Sequence, residues 1–156
     1  MKILFAATPI AGHLNPLLTI ARMVMARGDE AIVTTGAHLR PAVESAGAHF
    51  RPLAGGADFG GAHPQEIWPE RNALSPGPAQ LRFDFVRIFL DPISAQLATL
   101  RAIITDERPD IVVTDVGFMG RVALFLDPRR PSVPIVSCGI SALFLIGLMA
   151  LRSVLD

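Results

Sequence analysis

The sequence predicts an α/β domain built on a parallel, doubly wound sheet. Short apolar segments that suit buried strands alternate along the chain with segments whose apolar residues recur at helical spacing. The fourth predicted strand, residues 111–114, carries no charge, as expected of a parallel strand that is covered on both faces. A regular strand-helix order of this kind is typical of a parallel sheet with helices on both sides.

The predicted elements follow one another along most of the chain. Strands are predicted at residues 2–7, 31–33, 49–52, 111–114 and 135–137. Helices are predicted from Asn15 to a stop at Gly28, over residues 39–46 with a stop at Gly47, over residues 81–104 and over residues 117–126. Pro92 should divide the third of these helices. Residues 53–77, rich in Gly, Ala and Pro, predict a long loop that is either functional or disordered.

Composition limits the classes of function that are open to the chain. With 156 residues, 51% of them hydrophobic, residues 1–156 suit a single domain. Fourteen basic residues balance fourteen acidic ones, so no field steers the protein towards nucleic acid or anionic lipid. Cys138 is the only cysteine, which excludes an internal disulfide and a multi-cysteine zinc site and favours a reducing cytoplasm.

The end of the chain is strongly apolar. Residues 132–151 carry no charged side chain and are numerous enough to span a bilayer. Pro134, Ser137, Gly139 and Ser141 interrupt this stretch, however, and a buried strand followed by a buried helix explains it equally well. We therefore expect core here rather than a membrane span.

Two residues about one hundred positions apart are predicted to meet. His13 follows the first strand, just before the helix expected at Asn15, and Asp115 follows the fourth strand. Loops after these neighbouring strands diverge to opposite faces of a doubly wound sheet and leave a crevice between them. An imidazole held there by a carboxylate suits a general base, and the positive end of a helix favours its uncharged form. Alternatively, His13 only packs at a helix start and Asp115 only caps the next helix.

Four segments resemble one enzyme family in the order in which that family carries them. They are Thr8-Pro9 with Gly12-His13-Leu14-Asn15-Pro16, residues 33–36 with 43–47, residues 109–115, and residues 134–137. Together they resemble the N-terminal domain of nucleotide-sugar glycosyltransferases with two Rossmann-like domains, the GT-B fold. The family includes macrolide and other antibiotic glycosyltransferases, plant glucosyltransferases and UDP-glucuronosyltransferases. The resemblance extends over most of residues 1–140.

The resemblance implies an inverting transfer of a sugar to a hydroxyl of an apolar small molecule, without a metal or a cofactor. His13 would be the general base and Asp115 its partner, and the co-substrate would be a UDP- or dTDP-sugar. The resemblance also implies that this domain binds the acceptor. The candidate acceptor-binding residues are Gly12, Phe59, Trp68, Phe83, Phe85 and Phe118.

The family's donor-binding C-terminal domain has no counterpart in these 156 residues. We therefore expect an incomplete N-terminal domain that is inactive alone, and self-association through apolar surface that includes residues 143–151. The alternative is a non-catalytic module that binds a small molecule or a partner protein. A nicotinamide-dependent dehydrogenase is disfavoured because residues 7–13 lack the Gly-x-Gly-x-x-Gly fingerprint. His38, His49 and His63 lack the spacing of metal ligands.

Overall fold

A computed structural model describes residues 1–139 and shows five parallel strands in one sheet. The order across the sheet is β3-β2-β1-β4-β5, so the strand order reverses beside the central β1. The doubly wound parallel sheet predicted from the sequence is confirmed. The strands are β1 (Lys2–Ala6), β2 (Glu30–Thr35), β3 (His49–Pro52), β4 (Ile111–Asp115) and β5 (Ile135–Cys138).

Helices connect the strands as the apolar spacing predicts. They are α1 (Ala11–Met25), α2 (Arg40–Ser45), α3 (Pro64–Ile67), α4 (Pro78–Phe85), α5 (Ile93–Glu107) and α6 (Gly120–Leu126). Gly28 and Gly47, with φ of 89° and 86°, follow α1 and α2 in the left-handed conformation that ends helices. Pro92 lies between a π-helical turn (Val86–Leu90) and α5, so the predicted break is confirmed.

The core has two layers because successive strand residues point to opposite faces of the sheet. Phe5 and Val33 pack with Leu14 and Leu17 of α1 on one face. The other face carries the second layer, which consists of Leu4, Val112, Leu100 of α5, Leu124 of α6 and their neighbours. The sheet is therefore covered on both sides, and its strand ends remain free to carry a site.

Two local predictions are wrong. Helix α1 begins at Ala11 rather than at Asn15, because Pro16 lies inside the helix instead of opening it. A proline cannot donate to the carbonyl four residues earlier, and here that residue is the exposed Gly12, whose carbonyl water can reach. The second concerns residues 53–77, which are not a structureless loop. They contain α3 and 3₁₀ turns at Gly55–Ala57 and Pro69–Ala73.

One helical stretch in the described part of the chain is long and apolar enough to cross a membrane. It runs over Pro78–Glu107 and combines α4 with α5. Core helices pass the same test, and α5 buries Leu100, Ile103 and Ile104 against the sheet. The apolar stretch predicted over residues 132–151 lies mostly outside the described residues, as does the segment 143–151 that we expect to drive self-association.

Candidate active site

Asp115 is a fully buried carboxylate at the carboxyl end of β4. Its Oδ2 accepts a hydrogen bond of 2.6 Å from the backbone N–H of Thr8, and its Oδ1 accepts one of 2.6 Å from the backbone N–H of Gly117. The Thr8 hydroxyl donates to Oδ1 at 3.3 Å. These donors offset the cost of burying a charge, which is high for an unpaired carboxylate. Asp115 is the last residue of β4 rather than the first residue after it.

His13 makes the next contact with this carboxylate. Its Nδ1 lies 2.7 Å from Oδ1 of Asp115, and 18% of its side chain is exposed. A carboxylate can only accept, so Nδ1 carries the hydrogen of the neutral ring and the lone pair is on Nε2. No protein group within residues 1–139 hydrogen-bonds to Nε2. The pair therefore offers an oriented nitrogen that can take a proton.

The position of His13 in the chain differs from the prediction. It is the third residue of α1, and its backbone N–H donates to Ile10, which precedes the helix. The side chain still lies in the first turn, where the helix dipole disfavours a positive imidazolium. The alternative gives His13 a packing role and Asp115 a capping role; in the structure the two side chains are hydrogen-bonded to each other, and Asp115 also accepts from the backbone N–H of Gly117.

Phe89 and Gly117 are site residues that sequence reasoning missed. The Phe89 ring centre lies 5.9 Å from that of His13. A Cβ added to Gly117 would lie 2.7 Å from Cε1 of Phe89 and 3.0 Å from both Oδ1 of Asp115 and Cε1 of His13. Phe89 therefore fills part of the predicted crevice, and a side chain at position 117 would require the Phe89 ring to shift. Two sequence features could have identified these residues: Gly117 follows Asp115 by two positions, and aromatic residues recur at helical spacing over residues 81–89.

The predicted acceptor-binding aromatic residues lie in three different surroundings. Phe59, Trp68 and Phe83 form a row, with ring centres 5.6 Å and then 6.5 Å apart. Phe85 is 47% exposed and lies 5.4 Å from the Phe89 ring that contacts His13. Phe118 does not belong to this surface: it is fully buried in the α5–α6 core layer and presents no area to a ligand.

Gly12, the remaining predicted binding residue, is exposed in the first turn of α1. An added Cβ there would meet nothing within 4 Å. Open space at this position leaves the surface beside His13 accessible.

The two best-formed concavities of residues 1–139 lie away from His13. One of about 440 Å³ is lined by Phe125 and residues 130–135, and one of about 240 Å³ is lined by Lys2, Glu30, His49 and their neighbours. Both lie where strands begin, at the edge opposite Asp115. Neither His13 nor Asp115 lines either of these concavities.

Cys138 lies beside the dyad, paired in register with Asp115 across β4 and β5. Partial burial, and then the negative charge of Asp115, raise the pKa of its thiol above the ordinary 9.0. A thiol that stays protonated is a poor nucleophile. Among residues 1–139, no group of three or more His, Cys, Asp or Glu side chains could hold a metal ion.

Comparison with known proteins connects this geometry to one family. The chain is 35% identical over 119 residues to 4'-demethylrebeccamycin synthase of Lentzea aerocolonigenes, covering 76% of this chain and 28% of that protein. It is 32% identical over 123 residues to UDP-glycosyltransferase 2 of Phaeomoniella chlamydospora, covering 76% and 27%. The chain thus spans a little over a quarter of the length of these relatives. No protein-family model matches it.

Solved structures support the same relationship at the level of fold. The calicheamicin glycosyltransferase superposes with a TM-score of 0.65 at 22% identity, over 96% of this chain and 36% of that one. By sequence and fold, this chain is related to the N-terminal part of GT-B glycosyltransferases. The spinosyn rhamnosyltransferase solved with spinosyn aglycone gives a TM-score of 0.57 at 19% identity, over 88% and 34%. The resemblance predicted from four short segments is confirmed.

Proposed function

We propose that this chain is the acceptor-side part of an inverting, metal-independent glycosyltransferase that uses a UDP- or dTDP-sugar. The observation that carries the proposal is the 2.7 Å contact between Nδ1 of His13 and the buried Oδ1 of Asp115. Both residues lie at the carboxyl edge of the sheet, where open α/β sheets bind ligands. The relative named UDP-glycosyltransferase 2 supplies the reaction class.

In the proposed reaction, Nε2 of His13 takes the proton of an acceptor hydroxyl. The oxygen then forms a bond to the anomeric carbon of the sugar, and the bond from that carbon to the nucleoside diphosphate breaks with its electrons leaving on the diphosphate. Asp115 holds Nδ1–H and stabilises the imidazolium that forms. Base catalysis of this kind contributes about a hundred- to ten-thousand-fold in rate.

The exposed aromatic surface supports an apolar acceptor. Phe85 is half exposed beside Phe89, and the partly exposed rings of Phe59 and Trp68 pack against each other in the segment that precedes α4. Aromatic rings in this arrangement stack on flat or apolar aglycones, and a few polar groups then fix the orientation of the aglycone. The spinosyn rhamnosyltransferase, a protein of similar fold, is solved in complex with spinosyn aglycone. A cytoplasmic location fits the use of a single cysteine.

Complementation tests this function. The chain is assayed alone and then mixed with a donor-binding C-terminal domain of a related enzyme, and nucleotide release from UDP- and dTDP-glucose is followed with and without a phenolic acceptor. The proposal predicts release only in the mixture and only when the acceptor is present. If neither the chain alone nor the mixture releases nucleotide, and the folded chain still binds the acceptor, the result would instead favour a non-catalytic binding module.

A further inference from the structure

Asp58 joins the loop after β3 to the turn after β2 at the carboxyl edge of the sheet. Its Oδ2 accepts a hydrogen bond of 2.8 Å from the backbone N–H of Ala37, 21 residues earlier, just after β2. Its Oδ1 accepts one of 3.2 Å from the backbone N–H of Gly60. We call Asp58 with these two donors the Asp58 anchor.

The surroundings of Gly36 show how closely these segments meet. A Cβ added there would lie 2.7 Å from Cβ of Pro9, 2.9 Å from Oδ1 of Asp58 and 3.0 Å from Cε1 of His38. A Cβ added at Gly61 would lie 2.7 Å from Cδ2 of His38. The loop after β1, the turn after β2 and the loop after β3 are therefore in direct contact, and glycine at two positions makes that contact possible.

The same loop after β1 serves the dyad. Thr8, the neighbour of Pro9, donates both its backbone N–H and its hydroxyl to Asp115. Phe59 directly follows Asp58 in sequence and begins the aromatic row of Phe59, Trp68 and Phe83. The Asp58 anchor thus binds the start of the aromatic row to the turn after β2, and Gly36 of that turn packs closely against Pro9 in the loop that holds the carboxylate of the dyad.

We propose that Asp58 is a positioning residue that fixes the aromatic row beside the loop after β1 and thereby sets the affinity for an apolar acceptor. The acceptor part of this inference rests on the proposed function. Asp58 acts through Phe59 and Trp68 and not on the reacting atoms. Its loss should therefore weaken acceptor binding while the His13–Asp115 contact persists.

Trp68 is the only tryptophan of the chain, so its fluorescence reports the aromatic row directly. In the free protein, Asp58→Ala should red-shift the emission of Trp68 and increase its quenching by acrylamide. Asp58→Asn keeps one oxygen that can accept from Ala37, and should restore most of the wild-type quenching. Glu66→Ala is the matched control, since this exposed carboxylate lies in the same loop and has no hydrogen bond or ion pair within residues 1–139.

A second variant removes the same hydrogen bond from the donor side. Ala37→Pro deletes the N–H that Asp58 accepts, at the first residue of a 3₁₀ turn where proline is well tolerated. Gly36 already has φ of −64° and ψ of 147°, the extended conformation that a following proline requires. Thermal unfolding followed by circular dichroism establishes that each variant is folded.

Binding of 2-naphthol, measured by calorimetry, reports the acceptor site. Asp58→Ala and Ala37→Pro should each weaken it about tenfold, the effect of losing one hydrogen bond to a charged group. Unchanged Trp68 quenching in both folded variants would overturn the positioning role, whatever the naphthol result. Altered quenching with wild-type naphthol affinity would overturn the link to acceptor binding. No naphthol binding by the wild-type chain would count against the proposed acceptor function, while the quenching data would still decide the role of Asp58.

Discussion

The backbone N–H of Gly117 donates a 2.6 Å hydrogen bond to Oδ1 of Asp115, the same oxygen that accepts from Nδ1 of His13. The strand and the turn that follows it therefore orient the carboxylate before any ligand arrives. Glycine suits position 117 because a Cβ there would lie within 3.0 Å of side-chain atoms of Phe89, Asp115 and His13. The dyad is thus part of the fold of the β4 turn and not a chance contact of two surface side chains.

Replacing Gly117 by alanine should destabilise the protein and disturb the dyad. The added methyl group would lie 2.7 Å from Phe89 and 3.0 Å from Asp115 and His13, and overpacking of this kind costs about 1–3 kcal/mol. Urea unfolding measures the loss. Gly56→Ala is the control, since a Cβ there meets nothing within 4 Å. Equal stabilities of the two variants would show that position 117 is not sterically closed.

The neutral ring of His13 should carry its hydrogen on Nδ1. Nitrogen-15 chemical shifts of the imidazole distinguish the two tautomers, and Asp115→Asn should weaken the preference, because a neutral amide oxygen is a poorer acceptor for Nδ1–H than a carboxylate oxygen. One of the N–H groups of Thr8 and Gly117 would then face an amide N–H₂, which should lower the free energy of unfolding by about 1–3 kcal/mol. A ring with its hydrogen on Nε2 in the wild-type protein would contradict the proposed base.

The thiol of Cys138 should titrate above its ordinary pKa of 9.0, because partial burial and the Asp115 charge both disfavour the thiolate. The rate of alkylation by iodoacetamide as a function of pH measures this pKa. Asp115→Asn removes one of the two causes and should move the pKa down. Because the folded-state pKa is raised, the stabilising contribution of the protonated thiol is present below pH 9.0 and lost as the pH rises through the folded value. If the pKa of Cys138 is the same in the wild-type and Asp115→Asn proteins, the carboxylate is not charged beside the thiol.

The salt bridge between Arg71 and Asp84 should hold the Trp68 segment against α4. Nε and one terminal nitrogen of Arg71 lie 2.6 and 2.7 Å from the two carboxylate oxygens, and the side-chain hydrogen bond to Asp84 raises the pKa of the guanidinium. Arg71→Gln should therefore speed hydrogen exchange over residues 64–74. Arg82→Gln, an exposed arginine of α4 without an ion pair within residues 1–139, is the control. If hydrogen exchange over residues 64–74 becomes faster by the same factor in both variants, the cause is the loss of a positive charge and not the loss of the salt bridge.

The sequence was sufficient to predict the sheet and the meeting of His13 with Asp115, because both follow from topology. Strand order in a doubly wound sheet places the ends of β1 and β4 side by side whatever the side chains are. The start of α1 was missed because Pro16 is a strong sign of a helix start and is tolerated inside α1 only through the exposed Gly12 before it.

Side-chain assignments depended on packing that no pattern in one sequence reveals. Phe118 and Phe89 are both aromatic residues in helical or turn contexts, yet one fills the core under α5 and the other lies against His13. The Asp58 anchor connects residues 21 positions apart through a backbone N–H. Because every residue except proline has this group, the identity of residue 37 does not indicate the contact. Such contacts require the three-dimensional arrangement of the loops.

The most direct test of the central claim is the rate of sugar transfer by His13→Ala in the complemented enzyme, compared with His63→Ala. His63 is exposed in the loop before α3 and has no part in the proposed site. We expect His13→Ala to lose about a hundred- to ten-thousand-fold in turnover, with acceptor binding retained and His63→Ala unchanged. Normal turnover by His13→Ala would contradict the account, because the Cys138 thiol, which also lies beside Asp115, has a raised pKa and stays protonated.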